Sequence, residues 1–191
     1  MLISGSRLIG TPIMGLQTGT KLAVTKTPII DPSNLKIIAY EVDGPLLVEH
    51  PSFIRIADVR ELSNVGIIID SNDEFVGVKD VIAIKNIHGL NFKLIGLTVI
   101  DETKHKLGKV NDFNLDTDSF VIQQLNVKRG IIKTLADTEL LIHRSQIIEI
   151  NDRTIIVRTN IKKLEPITKP SQLAYMNPFR SPNPQTDSSN A

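Results

Sequence analysis

At 191 residues, with 41% hydrophobic and 23% charged side chains, the chain can bury one large core or two small ones, which excludes a wholly disordered polypeptide. A formal net charge of +1 is far from the strongly basic balance that phosphate binding favours, and the lack of cysteine excludes disulfides, thiolate metal sites and a thiol nucleophile. No apolar run reaches the roughly 18 residues of a spanning helix, and "MLISGSRLIGTP" lacks the basic flank and apolar centre of a secretory signal, so the expectation is a cytoplasmic protein without direct membrane insertion.

The first patterned segment is "LIGTPI" at residues 8–13, followed by "TGTKLAV" at 18–24. Short Val- and Ile-rich runs broken by Gly, Pro, Asn and Asp every eight to twelve residues or so read as antiparallel strands. Asp31, Pro32, Ser33 and Asn34 make a turn before a strand over 35–42. "GPLLVEHPSF" at 44–53 and "DVRELSNVGIII" at 58–69 follow. One helix is expected over about 78–88, with Val78, Val81, Ile82 and Lys85 on one face and Gly89 as a left-handed cap. The preceding "DSNDEF" supplies capping oxygens and the early negative charge that suits a helix N-terminus.

The pattern then begins again. "LIGLTV" at 94–99 lies over "LIGTPI" with Leu94 on Leu8; Asp116, Phe120 and Val127 lie over Asp31, Leu35 and Val42; Ile147, Glu149, Ile150, Ile155 and Ile156 lie over Val59, Glu61, Leu62, Ile67 and Ile68. Three collinear matches whose offset slips only by loop-sized amounts indicate duplication. The fold class expected is mainly β: two small antiparallel barrels, residues 1–77 and 91–165, joined by a short linker helix at 78–90. Gly10, Gly96 and Gly108 are read as structural glycines for the bends and close approaches a small barrel needs.

Beyond residue 165 the composition shifts. Pro166, Pro170, Pro178, Pro182 and Pro184 fall in the last 26 residues among Ser, Asn and Gln, so 166–191 is expected to be a disordered tail. Within it, Tyr175, Met176, Phe179 and Arg180 are the residue types that anchor small interfaces, and form a candidate partner-binding cluster.

Candidate chemistry is sparse. His50, His88, His105 and His143 are scattered, with no spacing that builds a metal site, and no nucleophile-elbow or phosphate-loop motif occurs. The acid pairs Asp73/Glu74 and Asp101/Glu102 sit in polar stretches, where solvation should leave their proton affinities ordinary. No catalytic, metal or cofactor residue is assigned, and no enzyme is expected. Lys and Arg balance Asp and Glu at 20 each over residues 1–165, with the first half at about −2 and the second at about +2. Lys104, Lys106, Lys109, Lys128 and Arg129 are the candidate basic patch, provided strand alternation puts them on one face.

"LIGLTVIDETKHKLGKVNDFNLDTDSF" at 94–120 and "VKRGIIKTLADTELLIHRSQIIEINDRTIIV" at 127–157 resemble a PRC-barrel domain, through the opening Leu-Ile-Gly, the Gly-Lys-Val at 108–110, the run at 140–142 and the closing pair of Ile-rich strands. The first half departs from the pattern in having "TGTKLAV" where a Gly-Lys-Val would stand. The family is named for the cytoplasmic part of the photosynthetic reaction-centre H subunit, and its barrel forms the C-terminal half of a ribosome maturation factor. Over about residues 2–160 the chain is similar to bacterial tandem PRC-barrel proteins. The resemblance implies a non-enzymatic protein-binding adaptor without cofactors, whose partner is another protein; the alternative it implies is a ribosome maturation factor contacting a ribosomal protein or RNA. Attachment to the inner membrane face through a partner, and further homo-oligomerisation, remain open.

Overall fold

The structure is a computed structural model that describes residues 1–129 and 139–158. The expected tail, with Tyr175, Met176, Phe179 and Arg180, lies outside the described residues. In chain order the strands are β1 (Leu2–Ser4), β2 (Pro12–Gly15), β3 (Lys21–Asp31), β4 (Lys36–Asp43), β5 (Ser52–Arg55), β6 (Glu61–Ser63), β7 (Gly66–Ile69) and β8 (Phe75–Gly77). After the helix α1 (Ile82–Gly89) come β9 (Thr98–Asp101), β10 (Lys106–Asp116), β11 (Val121–Lys128), β12 (Glu139–His143), β13 (Ile147–Ile150) and β14 (Thr154–Val157).

The same run of pairings occurs twice. β2 pairs antiparallel with β3 and parallel with β7, where Ile13 faces Ile67; β9 pairs antiparallel with β10 and parallel with β14, where Val99 faces Ile155. The long hairpins β3–β4 and β10–β11 carry register shifts at matching places, between Thr25 and Pro28 as between Val110 and Asp112, and between Ile29 and Ile30 as between Asn114 and Leu115. Such bulges bend and twist a strand, which is how an 11-residue strand curls around a small core.

Each hairpin turn is closed by its aspartate. Asp31 accepts hydrogen bonds from the Ser33 amide at 2.9 Å and hydroxyl at 2.7 Å, and Asp116 accepts the Ser119 amide at 3.1 Å and hydroxyl at 2.6 Å. The chain re-enters the sheet through Leu35 (φ 56°) and Phe120 (φ 54°), both left-handed. The strands therefore begin one residue later than expected, at Lys36 and Val121.

β4 and β11 meet antiparallel at Lys36 and Val121, so both halves join one hydrogen-bonded network with the strand order β13-β14-β9-β10-β11-β4-β3-β2-β7-β6. That ladder is open: the expected barrels are not closed by strand pairing. One buried cluster, moreover, runs through both halves, with Ile13, Ile37, Tyr40 and Ile67 from the first and Val99, Leu115, Ile122 and Val157 from the second. Burying each such aliphatic side chain contributes about 1.5–3 kcal/mol, and the two halves share that gain across the seam. β1 crosses over as well, its Leu2, Ile3 and Ser4 pairing with Asp116, Leu115 and Asn114 of β10.

The helix departs from expectation in bounds and face. It spans Ile82–Gly89, after Val81 as an N-cap without a side-chain hydrogen bond. "DSNDEF" instead forms a 3₁₀ turn at Asn72–Glu74, capped by Ser71, and the start of β8. Ile84 is the buried helical residue, packed with Ile29, Ala39 and Phe53, whereas Ile82 is 76% exposed. The apolar outer face of β3 and β4 decides which way the helix turns. On the second half the matching face presents Asn114 and Gln124, bonded to each other at 3.2 Å, and offers no such seat. The left-handed residue beyond the helix is Asn91 (φ 50°), not Gly89.

Candidate binding groove

The second half carries a groove of about 450 Å³ between the segment preceding β9, strand β10 and the end of β11. Gly108 and Val110 form its buried floor, Ile95 and Gly96 stand at its edge, and Lys106, Lys109, Lys128 and Arg129 line it as exposed cations. On a regular strand Lys106 and Lys109 would point to opposite faces. The register shift between Lys106 and Gly108 changes that, turning Leu107 and Gly108 inward and leaving both lysines outward. Lys109 then faces Lys128 directly across the β10–β11 ladder. Like charges in that position destabilise a sheet, and among the described residues no ion pair relieves any of the four, although Glu139 is the register partner of Lys128 on β12.

Glycines shape the floor. At Gly108 a Cβ would collide with the Lys128 carbonyl oxygen and Val127, so only glycine lets β11 come so close. The first half solves the same problem from the other strand. Ala23 occupies the place of Gly108, and Gly44, beyond β4, is the residue whose Cβ would collide with the Leu22 carbonyl oxygen. This accounts for "TGTKLAV" lacking the Gly-Lys-Val pattern. Gly10 (φ 73°) and Gly96 (φ 92°) form a matched pair in the left-handed region, their amides donating to Thr25 O at 2.9 Å and Val110 O at 2.8 Å.

Lys104 does not join the groove. It sits with φ 65° in the turn linking β9 and β10, which is organised by Asp101. The Asp101 side chain is only 5% exposed and accepts the Thr103 amide at 2.9 Å, the Thr103 hydroxyl at 2.7 Å and the His105 amide at 2.8 Å. These bonds, the Thr103 hydroxyl foremost, hold its carboxyl below the usual range, contrary to the ordinary affinity expected of a solvated pair. The signal missed in the sequence was the Asp-x-Thr-x-His spacing, a side-chain turn motif.

The histidines stay apart. His88 packs edge-on against Phe53 with ring centroids 5.5 Å apart, His105 leans on Asp101 and His143 caps the 3₁₀ turn at Arg144–Gln146. Among the described residues no group of three or more His, Asp or Glu converges as a metal would require.

At the site equivalent to the basic groove, the first half has Val24 facing Asp43 in place of the two lysines. Beyond β4 its chain runs into a cleft of about 240 Å³ lined by Leu46, Val48, Glu49, Asp73 and Asp80. The two halves thus share a backbone plan and differ in charge at corresponding ends.

These features define a β-rich protein with a short helix and bulged hairpins that turn sharply at conserved-geometry aspartates, and among the described residues no helix is long and apolar enough to cross a membrane. Residues 92–164 match the family model of the PRC-barrel domain, so the second half of the chain is a PRC-barrel domain and the resemblance read from 94–157 holds. No match to a curated protein was found.

Proposed function

We propose that the chain is a non-enzymatic adaptor that docks another protein, built from two PRC-type units, residues 1–77 and 91–165, with the helical connection between them. The observation that supports this reading is a basic groove in one half and an acidic cleft in the other, both carried by one continuous sheet. Two rigidly linked sites raise avidity for a partner that can engage both, without either contact being strong. The PRC-barrel match in the second half and the repeated pairings of the first support the duplicated description. Its place is the cytoplasm, or the inner membrane face when its partner is a membrane protein. Affinity capture from native cells tests the reading: a protein retained by the intact chain and lost when Lys109 and Lys128 are replaced by Glu supports it, and recovery of RNA alone overturns it.

A second reading, ribosome maturation through contact with a ribosomal protein or RNA, draws on the four groove cations. It requires co-sedimentation with ribosomal particles that weakens steeply as salt rises, because phosphate contacts release counterions.

A further inference from the structure

The basic groove and the acidic cleft lie at opposite ends of the sheet. β4 and β11 meet at Lys36 and Val121 and run away from each other, eight residues each, to Asp43 and Lys128. At a strand rise of about 3.3 Å per residue, the path between those ends is roughly 50 Å. The groove and the cleft share no lining residue.

The two ends are complementary in two respects. The groove has an apolar floor under cations that no ion pair relieves among the described residues, with Ile95 50% exposed at its edge. The segment after β4 offers the converse: Val48 is 96% exposed and Leu46 54%, with Glu49 beside them and Asp73 across the cleft. Val48 is too exposed to serve the core of its own chain. The sequence balance agrees, since a chain of net charge +1 whose halves carry about −2 and +2 has little long-range repulsion between copies and a modest difference in sign between its halves. The retained Lys109–Lys128 repulsion, absent at Val24–Asp43, is a stability cost that an arriving carboxylate would offset.

We infer that this protein self-associates head to tail, the Leu46–Val48–Glu49 segment of one copy seating in the Lys106–Lys109–Lys128–Arg129 groove of the next. The contact is heterologous, so it propagates into short open chains or closes into a ring according to the rotation between copies. Its small, polar-rimmed area makes it reversible and sensitive to ionic strength. This inference goes beyond the adaptor reading and does not depend on it: an adaptor can be monomeric, and a self-associating chain can lack other partners.

Analytical ultracentrifugation of the full 191-residue chain tests it. At about 50 mM salt the weight-average mass is expected to rise with protein concentration, and at about 500 mM to fall toward the monomer. K109E/K128E and E49K/D73K should each weaken association at least about tenfold. Mixed together, the two variants regain it, because the unaltered cleft of the first fits the unaltered groove of the second and the two reversed sites fit each other. Circular dichroism melts confirm that both variants fold, K109E/K128E exchanging one facing pair of like charges for another. A chain that is monomeric at every concentration, association that survives either variant, or a mixture that stays monomeric overturns the inference.

Discussion

Leu35 and Phe120 each accept a backbone hydrogen bond across the seam, in matching fashion: Ile122 N donates to Leu35 O at 2.9 Å, and Ile37 N donates to Phe120 O at 2.9 Å. Both residues are left-handed, both are 4% exposed, and both follow an aspartate-closed turn. Each half therefore supplies the same piece to the other, as in a self-complementary dimer contact within one chain. A bulky L-residue in this backbone region is strained, and here it persists because packing on both sides and the paired bonds determine it.

Truncation at the seam should accordingly be felt by the whole fold. Phe120→Ala is expected to cost about 3–5 kcal/mol and Leu35→Ala about 2–5 kcal/mol in urea unfolding. Because both side chains belong to one buried cluster, the double variant should depart from the sum of the singles, and unfolding should stay a single transition by both fluorescence and circular dichroism. Two separated transitions in the wild type would show that the halves do not share a core.

The close approaches at the hairpin ends make a second prediction. Gly108→Ala and Gly44→Ala each put a methyl group against backbone oxygen that cannot move without opening the ladder, at an expected cost of about 1–3 kcal/mol. Gly89→Ala, where an added Cβ meets nothing within contact range, should be neutral or slightly stabilising. Thermal melts of the three variants side by side check this; equal effects at all three would remove the argument from close approach.

How far the sequence could be read depends on the range of the interaction. The turns at Asp31 and Asp116 and the strands after them rest on local chemistry, and the repeat offset places them directly. The β4–β11 seam and the crossing of β1 to β10 are pairings between segments far apart in sequence, with no local signature. The basic patch was legible in its residue types, but its common face depends on the bulge at Lys106–Gly108, which alternation alone does not show. The helix stripe failed at Ile82 and Ile84 for a related reason: the buried side was decided by Ile29, Ala39 and Phe53 on another element, and propensity within the helix says nothing of that.

Tyr40 supplies the third prediction. Its ring is buried in the shared core, and its hydroxyl is the buried side-chain polar atom without a hydrogen-bond partner among the described residues. Burial pushes its pKa up, so the phenol stays neutral. An unmet buried hydroxyl costs about 1–3 kcal/mol, and Phe keeps the same shape without it. Tyr40→Phe should be neutral or stabilise by up to about 1 kcal/mol in urea unfolding. A loss larger than about 1 kcal/mol would mean that the hydroxyl is bonded after all.

The last prediction concerns acid. Asp116 is held down to about 2 from the ordinary 3.8, first by the Ser119 hydroxyl and then by the chain's amino terminus. Asp101 is lowered chiefly by the Thr103 hydroxyl, and Asp70 chiefly by the Arg60 guanidinium, which reaches it at 2.9 Å through Nε. For each, the folded state binds its proton more weakly than the unfolded state does. Their contribution is therefore complete above the unfolded value near 3.8 and is lost as pH falls through the lowered folded values. The melting temperature should hold between pH 5 and 7, as far as these groups decide it, and drop on going from about pH 4 toward 2. Asp116→Asn should lower the melting temperature at pH 6 and flatten the acid limb, because its proton-linked share is already gone. Asp101→Asn should do the same, and should further loosen the turn carrying Lys104, read as faster amide exchange at Thr103 and His105. A wild-type acid limb that begins well above pH 5, or one unchanged in both variants, would assign the linkage to other groups.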